Sequence, residues 1–297
     1  MPDIYADKLV RTTAEGRRLN EQFDILTSNI GYLIHPRIAA VLPPSPQIAD
    51  IGTGTGYFLQ CVQESGAFPN ARLDGYDISA SMYPQSVPKT INLQVLDMKQ
   101  PVPEEFHQVY DLVHARMLVA AVLPTEWTAI VRNLTKLLKP GGWLQWGECD
   151  FISCKFLRGA ALGASPTDTV LALGNKWREE MRDRFQCGWS TLAGDMRAAG
   201  LDSVDSDCVS SDRLPETREK TIENAMTSIF SWLRVLASKG VGMTNEELDL
   251  AEKRADEEIK AGAYVRYEIY VITGKKASEV QFVVGTGQDV VELGTLR

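Results

Sequence analysis

The sequence predicts an α/β protein built on a doubly wound, mostly parallel sheet. Three observations carry that expectation. Short apolar runs of strand character alternate with helical stretches between residues 47 and 150. A turn with glycine at every second position, Gly52-Thr53-Gly54-Thr55-Gly56, follows the first of those runs. The composition, 44% hydrophobic and 24% charged over 297 residues, is that of an ordinary globule. A chain of this length can bury about three quarters of its unfolded surface without staples.

The elements follow in order. Residues 6–41 read as helical and make an N-terminal cap over residues 1–42. Successive prolines at Pro43-Pro44-Ser45-Pro46 stop it, because each removes an amide donor. A core over residues 43–150 begins with a strand at 47–51, the glycine turn, and a helix at 57–65. Strands at 71–78, 92–96 and 110–114 come next, then a helical stretch running through 131–138. Lys139-Pro140-Gly141-Gly142 turns the chain into a fifth strand at 143–148. Strands that alternate with helices pair in parallel through right-handed crossovers.

Beyond Asp150 the pattern turns helical. Ser165-Pro166-Thr167-Asp168 has a capping serine and a proline suited to a first helical position. Val170, Leu173, Trp177, Met181 and Phe185 then form one apolar face. A helix at 190–199 and a strand near 205–210 follow. Ile222, Met226, Ile229, Leu233 and Leu236 mark another helix, and Thr244 with Glu247 spells a capping box for the next. Residues 264–273, rich in Tyr, Val and Ile, read as a returning strand. Residues 151–262 are thus expected to be a helical lid that includes a core helix and strand near 190–210. Residues 263–276 form the final strand, and 277–297 an extension with a β-prone piece at 280–284.

Charge and cysteine usage exclude several classes. Thirty-one basic against 39 acidic side chains give a net charge of −8, with no basic field to replace phosphate counterions, so no nucleic-acid partner is expected. Cys61, Cys149, Cys154, Cys187 and Cys208 are odd in number and form no CxxC pair. They read as thiols in a reducing compartment, with no metal or disulfide role. The start, Met1-Pro2-Asp3-Ile4-Tyr5, lacks the basic and apolar segments of a signal peptide, and no apolar run nears the ~20 residues that span a bilayer. A cytoplasmic monomer or homodimer acting on a small molecule, away from membranes, is the expectation.

The glycine turn carries the functional signal. Dinucleotide sites space their glycines G-x-G-x-x-G and leave amides for a pyrophosphate. Here the spacing is G-x-G-x-G across Gly52, Gly54 and Gly56, with Asp50 two residues upstream. A carboxylate there repels a pyrophosphate but suits the ammonium of an amino acid. An amino acid joined to a nucleoside without phosphate is S-adenosylmethionine. Asp77 ends the second strand 21 positions after Gly56, where a carboxylate can accept both ribose hydroxyls. Asp97 and Met98 end the third, placed to hold an adenine amino group and pack on its ring. Any one of these aspartates alone is an ordinary cap or turn residue. Three at successive strand ends around one glycine turn are harder to dismiss.

Asp50-Ile-Gly-Thr-Gly-Thr-Gly56, Gly75-Tyr-Asp-Ile-Ser79, Tyr110-Asp-Leu-Val-His-Ala-Arg116 and Leu137-Leu-Lys-Pro-Gly-Gly-Trp-Leu-Gln-Trp146 resemble the class I S-adenosylmethionine-dependent methyltransferases. Arg18-Leu-Asn-Glu-Gln-Phe-Asp24 and Tyr32-Leu-Ile-His-Pro-Arg-Ile38 resemble the fungal branch of that family, the gliotoxin-type N-methyltransferases and relatives that decorate secondary metabolites. The resemblance covers residues 15–150 well and the last strand loosely. It implies a seven-stranded Rossmann-like methyltransferase sheet whose last strand is antiparallel, S-adenosylmethionine as cofactor, and the helical excursions as a substrate lid. Cofactor contacts are expected at Asp50, Gly52, Thr53, Gly54, Gly56, Asp77, Ile78, Asp97, Met98 and Gln22.

Methyl transfer from a sulfonium needs alignment, exclusion of water and, for some acceptors, a base. His114 and Arg116 after the fourth strand, and Glu148 after the fifth, are the catalytic candidates. The alternatives are a hydrogen-bonded structural histidine, a salt bridge at a helix start, and a partner for the N-terminal helices. Trp146 and Trp189 are candidate aromatic walls, and Tyr32 and His35 candidate acceptor contacts, although single aromatics are more often core and His35 suits a turn. The apolar faces at 170–185 and 222–236 read as packing, one edge of which could line the pocket. The expected reaction is methylation of O, N or S on a small molecule. Two other readings stay open: a cyclase or pericyclase that uses the sulfonium as a fixed charge, and a non-catalytic regulator on the same fold.

Overall fold

A computed structural model describes residues 11–160 and 166–278. The helical residues expected at 6–10, the cap expected at Ser165 and the β-prone piece at 280–284 lie outside the described residues. The N-terminal cap comprises α1 (Thr13–Ile30) and α2 (Pro36–Ala39). The core contains β1 (Gln47–Ile51), α3 (Tyr57–Glu64), β2 (Arg72–Asp77), β3 (Ile91–Val95), β4 (Tyr110–Arg116), α4 (Trp127–Leu137) and β5 (Leu138–Arg158). Next come α5 (Asp168–Glu180), α6 (Arg182–Phe185), α7 (Leu192–Ala198) and β6 (Leu201–Ser210). The chain continues through α8 (Arg218–Ser238), α9 (Asn245–Lys260) and β7 (Ala263–Lys276).

Among the described residues the strands form a seven-stranded sheet in the order β3-β2-β1-β4-β5-β7-β6. The pairs among β1 to β5 are parallel, and β7 lies antiparallel between β5 and β6. This is the doubly wound Rossmann-like architecture, with the order reversing at β1 so that a crevice opens beyond the strand ends. No helix among the described residues is long and apolar enough to cross a membrane.

Three boundaries depart from the sequence expectation. The stretch at 6–41 does not run as one helix. Gly31 takes φ +90° and its amide bonds the Thr27 carbonyl, which closes α1, and His35 with Pro36 opens α2. The face at 170–185 breaks at Met181 into α5 and α6. Most consequentially, the fifth strand spans 138–158, not 143–148. Lys139-Pro140-Gly141-Gly142 is absorbed as an irregularity where the register shifts between Tyr110 and Leu112, and residues 155–158 pair with the start of β7.

The pleat divides the core by alternation. Ile48 and Leu112 point toward α2 and α3, where they pack on Ile38, Phe58, Leu59 and Val62. Ala49, Val113, Ala115, Leu144 and Trp146 point the other way, onto Trp127, Ile130 and Leu134 of α4 and Leu192 and Met196 of α7. A third cluster joins α8, α9 and Val170 and Leu173 of α5 to the outer half of β7. Helix α1 is tied to that layer by polar clasps. Arg18 donates to Asn224 Oδ1 at 2.9 Å, and the Asn224 amide returns a bond to the Arg18 carbonyl at 2.8 Å.

Candidate active site

The glycine turn crosses the carboxyl ends of β1 and β2. Gly52, Gly54 and Gly56 all take positive φ, between +55° and +74°, which side chains of L residues resist. Space is short as well, since a Cβ on Gly52 would lie 2.4 Å from Leu118 Cδ2. Three bonds pin the turn. The Thr53 amide donates to the Tyr76 carbonyl at 2.9 Å, the Gly54 amide to Asp77 Oδ2 at 2.9 Å, and the Thr53 hydroxyl to Asp50 Oδ2 at 2.7 Å.

A cavity opens above this turn. Its walls include Asp50, Gly52, Thr53, Gly54, Asp77, Ile78, Asp97, Met98 and Gln22 from the expected cofactor set. Of that set, Gly56 alone is outside the lining; it caps α3 just behind. Leu96, Met98, Met82 and Ile78 supply an apolar end for a flat ring, and Asp77 stands at the end of β2 where a diol would be bound. Asp50 is 4% exposed, with both oxygens engaged, by Thr53 and by His114 Nδ1 at 2.7 Å. The residues present fit S-adenosylmethionine in polarity and shape.

Several cavity residues carried no signal in the sequence. Arg11 donates to Asp77 Oδ1 at 3.4 Å, and Lys99 donates to Glu126 and to the Ala121 carbonyl. Asn20 accepts from the Thr55 hydroxyl, and Phe23 and Phe58 add ring surface. Their positions depend on how α1 folds over the sheet, which no local pattern states.

The three catalytic candidates do not converge. His114 and Arg116 share one face of β4, on the side of α3. His114 is buried, its ring stacked 3.7 Å from that of Phe58, and it lines the cofactor cavity. Burial lowers its pKa, so the ring is neutral, with Nδ1–H donating to Asp50. Arg116 lies 4.4 Å over the Phe23 ring and donates to Thr27 Oγ1, which straps β4 to α1; burial lowers its pKa to about 10. Glu148 projects from the opposite face of the sheet. Its Oε1 accepts from the Leu118 amide and from Trp146 Nε1, Oε2 has no partner, and burial raises its pKa to about 7. Strands register Arg116 against Gly147, so the pleat turns the next side chain, Glu148, away.

A second cavity lies between α1, α5, α8 and the outer parts of β5 and β7. Phe151, Phe156, Trp177, Phe185 and Tyr267 form its aromatic walls. It meets the first cavity at Leu19, Gln22 and Met117, which line both. The empty spaces are about 1230 and 960 Å³ with their open mouths included.

None of the expected acceptor contacts lines either cavity, and each has a physical reason. Trp146 is fully buried against Trp127 on the α4 side, its indole N–H spent on Glu148. Trp189 donates to the Phe185 carbonyl and packs on Tyr270. Tyr32 donates to Asp207 at 2.6 Å, and burial raises its pKa. His35 caps α2, and burial lowers its pKa. The aromatic walls come instead from the 170–185 face, whose Trp177 and Phe185 form that pocket-lining edge, and from strand residues past the sheet's carboxyl edge.

Comparison with known proteins agrees with this geometry. The chain is 39% identical over 145 residues to methyltransferase grgD of Penicillium sp, covering 46% of this chain and 50% of that protein. It is 31% identical over 192 residues to N-methyltransferase sirN of Leptosphaeria maculans, covering 64% and 62%. A shorter match, 32% over 107 residues, is to secondary metabolism regulator LAE1 of Hypocrea atroviridis, covering 36% and 30%. The matches to the first two span about half to three fifths of those relatives' length. The methyltransferase-domain family description matches residues 30–204, more than half of the sequence and all of the parallel strands β1 to β5, and the chain belongs to that family.

Proposed function

We propose that the protein transfers the methyl group of S-adenosylmethionine to an oxygen, nitrogen or sulfur atom of a small molecule held in the aromatic cavity. The observation that carries this reading is the meeting of the two cavities at Leu19, Gln22 and Met117, beyond the carboxyl edge of the sheet. When bound, the cofactor supplies an already activated methyl carbon, so the protein's task is alignment and exclusion of water.

The residues divide that task. Asp77 would accept the ribose hydroxyls while its Oδ2 keeps the Gly54 amide. Met98 and Ile78 would flank the adenine, and the Asp97 carboxylate would accept from its amino group. Asp50 would face the ammonium, oriented by His114 and Thr53, which makes His114 a positioning residue. Arg116 would hold α1, and with it Gln22, over the junction between cofactor and acceptor.

Calorimetry with S-adenosylmethionine tests the cofactor half, and release of S-adenosylhomocysteine in step with methylated product tests the reaction. Product formation without S-adenosylhomocysteine would transfer the assignment to a cyclase or pericyclase. Absence of any cofactor binding would leave the regulator reading.

A further inference from the structure

The aromatic cavity contains two guanidinium groups in opposite electrostatic states. Arg18 is compensated, donating to both oxygens of Glu15 at 2.6 and 2.9 Å with both residues buried. Arg178 on α5 is not. Its Nη1 donates to the Cys154 carbonyl at 2.9 Å and to Cys154 Sγ at 3.7 Å, and its Nη2 to Asn175 Oδ1 at 2.5 Å, all neutral acceptors. Among the described residues no carboxylate lies within ion-pair distance of it, and the cavity lining contains no Asp, Glu or His.

A half-buried cation beside Phe156, Trp177 and Tyr267 has lost part of its hydration without gaining a counter-charge. These neutral contacts occupy Nη1 and one Nη2 hydrogen and leave the Nε–H and the second Nη2–H for an oxyanion. Position adds a second constraint. Gly147 of β5 is level with Arg116 at the cofactor cavity and opposite Val271 of β7. Lys155, next to the Cys154 that holds Arg178, is instead opposite Arg266, five residues away along β7, because β5 is irregular between Asp150 and Lys155. The cation is therefore well removed from the junction at Met117 where transfer would occur.

Resting on the methyl-transfer reading, we propose that the acceptor is an aromatic acid: its ring system fills the aromatic cavity, its carboxylate docks on Arg178, and the methylated atom is a separate nucleophile at the other end. The acid is a recognition handle and is not itself methylated. A cavity lined by no Asp, Glu or His suits a neutral amine best: its lone pair forms the N–CH3 bond as the C–S bond breaks, S-adenosylhomocysteine leaves, and the resulting ammonium gives its proton to water.

The test uses the full chain saturated with S-adenosylhomocysteine and titrated calorimetrically with benzoate, indole-3-acetate and 4-phenylbenzoate, each against its neutral amide. At least one acid should bind about ten- to hundredfold tighter than its amide. Arg178→Gln should erase that preference and Arg178→Lys keep part of it, with S-adenosylhomocysteine affinity unchanged in both. Equal binding of acid and amide, a preference that survives Arg178→Gln, or no binding of any acid in the set overturns the proposal. Failure to bind S-adenosylhomocysteine at all would instead remove the methyl-transfer reading beneath it.

Discussion

Replacing Glu148 by Gln should stabilise the protein at pH 8 relative to pH 5, and the structure sets the size of the effect. The carboxyl is 1% exposed, and burial lifts its pKa from 4.5 to about 7 despite bonds from the Trp146 indole and the Leu118 amide. In the unfolded chain the group ionises near its ordinary value. Between those two values the native state therefore holds a proton that the unfolded state has lost, so stability falls as pH rises through this window and levels off above about 7. At about 1.4 kcal/mol per pH, the loss amounts to ~3 kcal/mol, an order-of-magnitude figure. Gln keeps the carbonyl that accepts the two bonds and carries no charge, so the variant lacks this decline. Urea denaturation at pH 5, 6, 7 and 8 measures it, read as midpoints at constant slope. The gap between wild type and variant should move by ~2–3 kcal/mol in the variant's favour from pH 5 to pH 8, since part of the window lies below pH 5. A gap that stays constant across that range would refute the claim that burial keeps Glu148 protonated in the native state.

The remaining predictions concern the cofactor side and the lid. Asp77→Ala should weaken S-adenosylmethionine about ten- to hundredfold, because a charge-assisted bond to the ribose and the anchor of the Gly54 amide are both lost; unchanged affinity by calorimetry rejects it. His114→Ala should lower cofactor affinity through Asp50, yet keep turnover at saturating cofactor within about tenfold of wild type. A fall of about 10²–10⁴ would make it a general base after all. Amide exchange in α5 and α8 should slow when cofactor and acceptor are both present, since those helices wall the aromatic cavity. Equal protection with and without ligands would mark them as a fixed layer.

The fold was legible because its signals are local and repeated. Alternating strands and helices specified the parallel sheet, and the capping box at Thr244 and Glu247 forms as read. The cofactor cavity was legible for a related reason. In a doubly wound sheet, residues at successive strand ends meet at one edge wherever they stand in the chain, so the sequence alone groups Asp50, Asp77 and Asp97. What failed to show was anything set by register or by a distant helix. Arg11, Lys99 and Phe23 reach the cavity only through tertiary packing, and none stands in a pattern that names its neighbour.

The catalytic candidates show how small the missing information was. Proximity to a strand's end put His114, Arg116 and Glu148 together, but a sheet sorts side chains by parity, and parity across two strands depends on register. That register is set where the Pro140-Gly141-Gly142 irregularity joins β5 to β4, a position that reads as a plain turn in sequence. With Arg116 opposite Gly147, His114 and Arg116 face α3 while Glu148 faces α4. The same irregularity begins a strand that continues past the edge of the parallel sheet and carries Phe151, Cys154 and Phe156 out to α5 and α8. Strand length, more than any single residue, thus builds the aromatic cavity. The long β5–β7 pair provides its floor, and the aromatic edge of the 170–185 face becomes a wall because that floor extends beneath it.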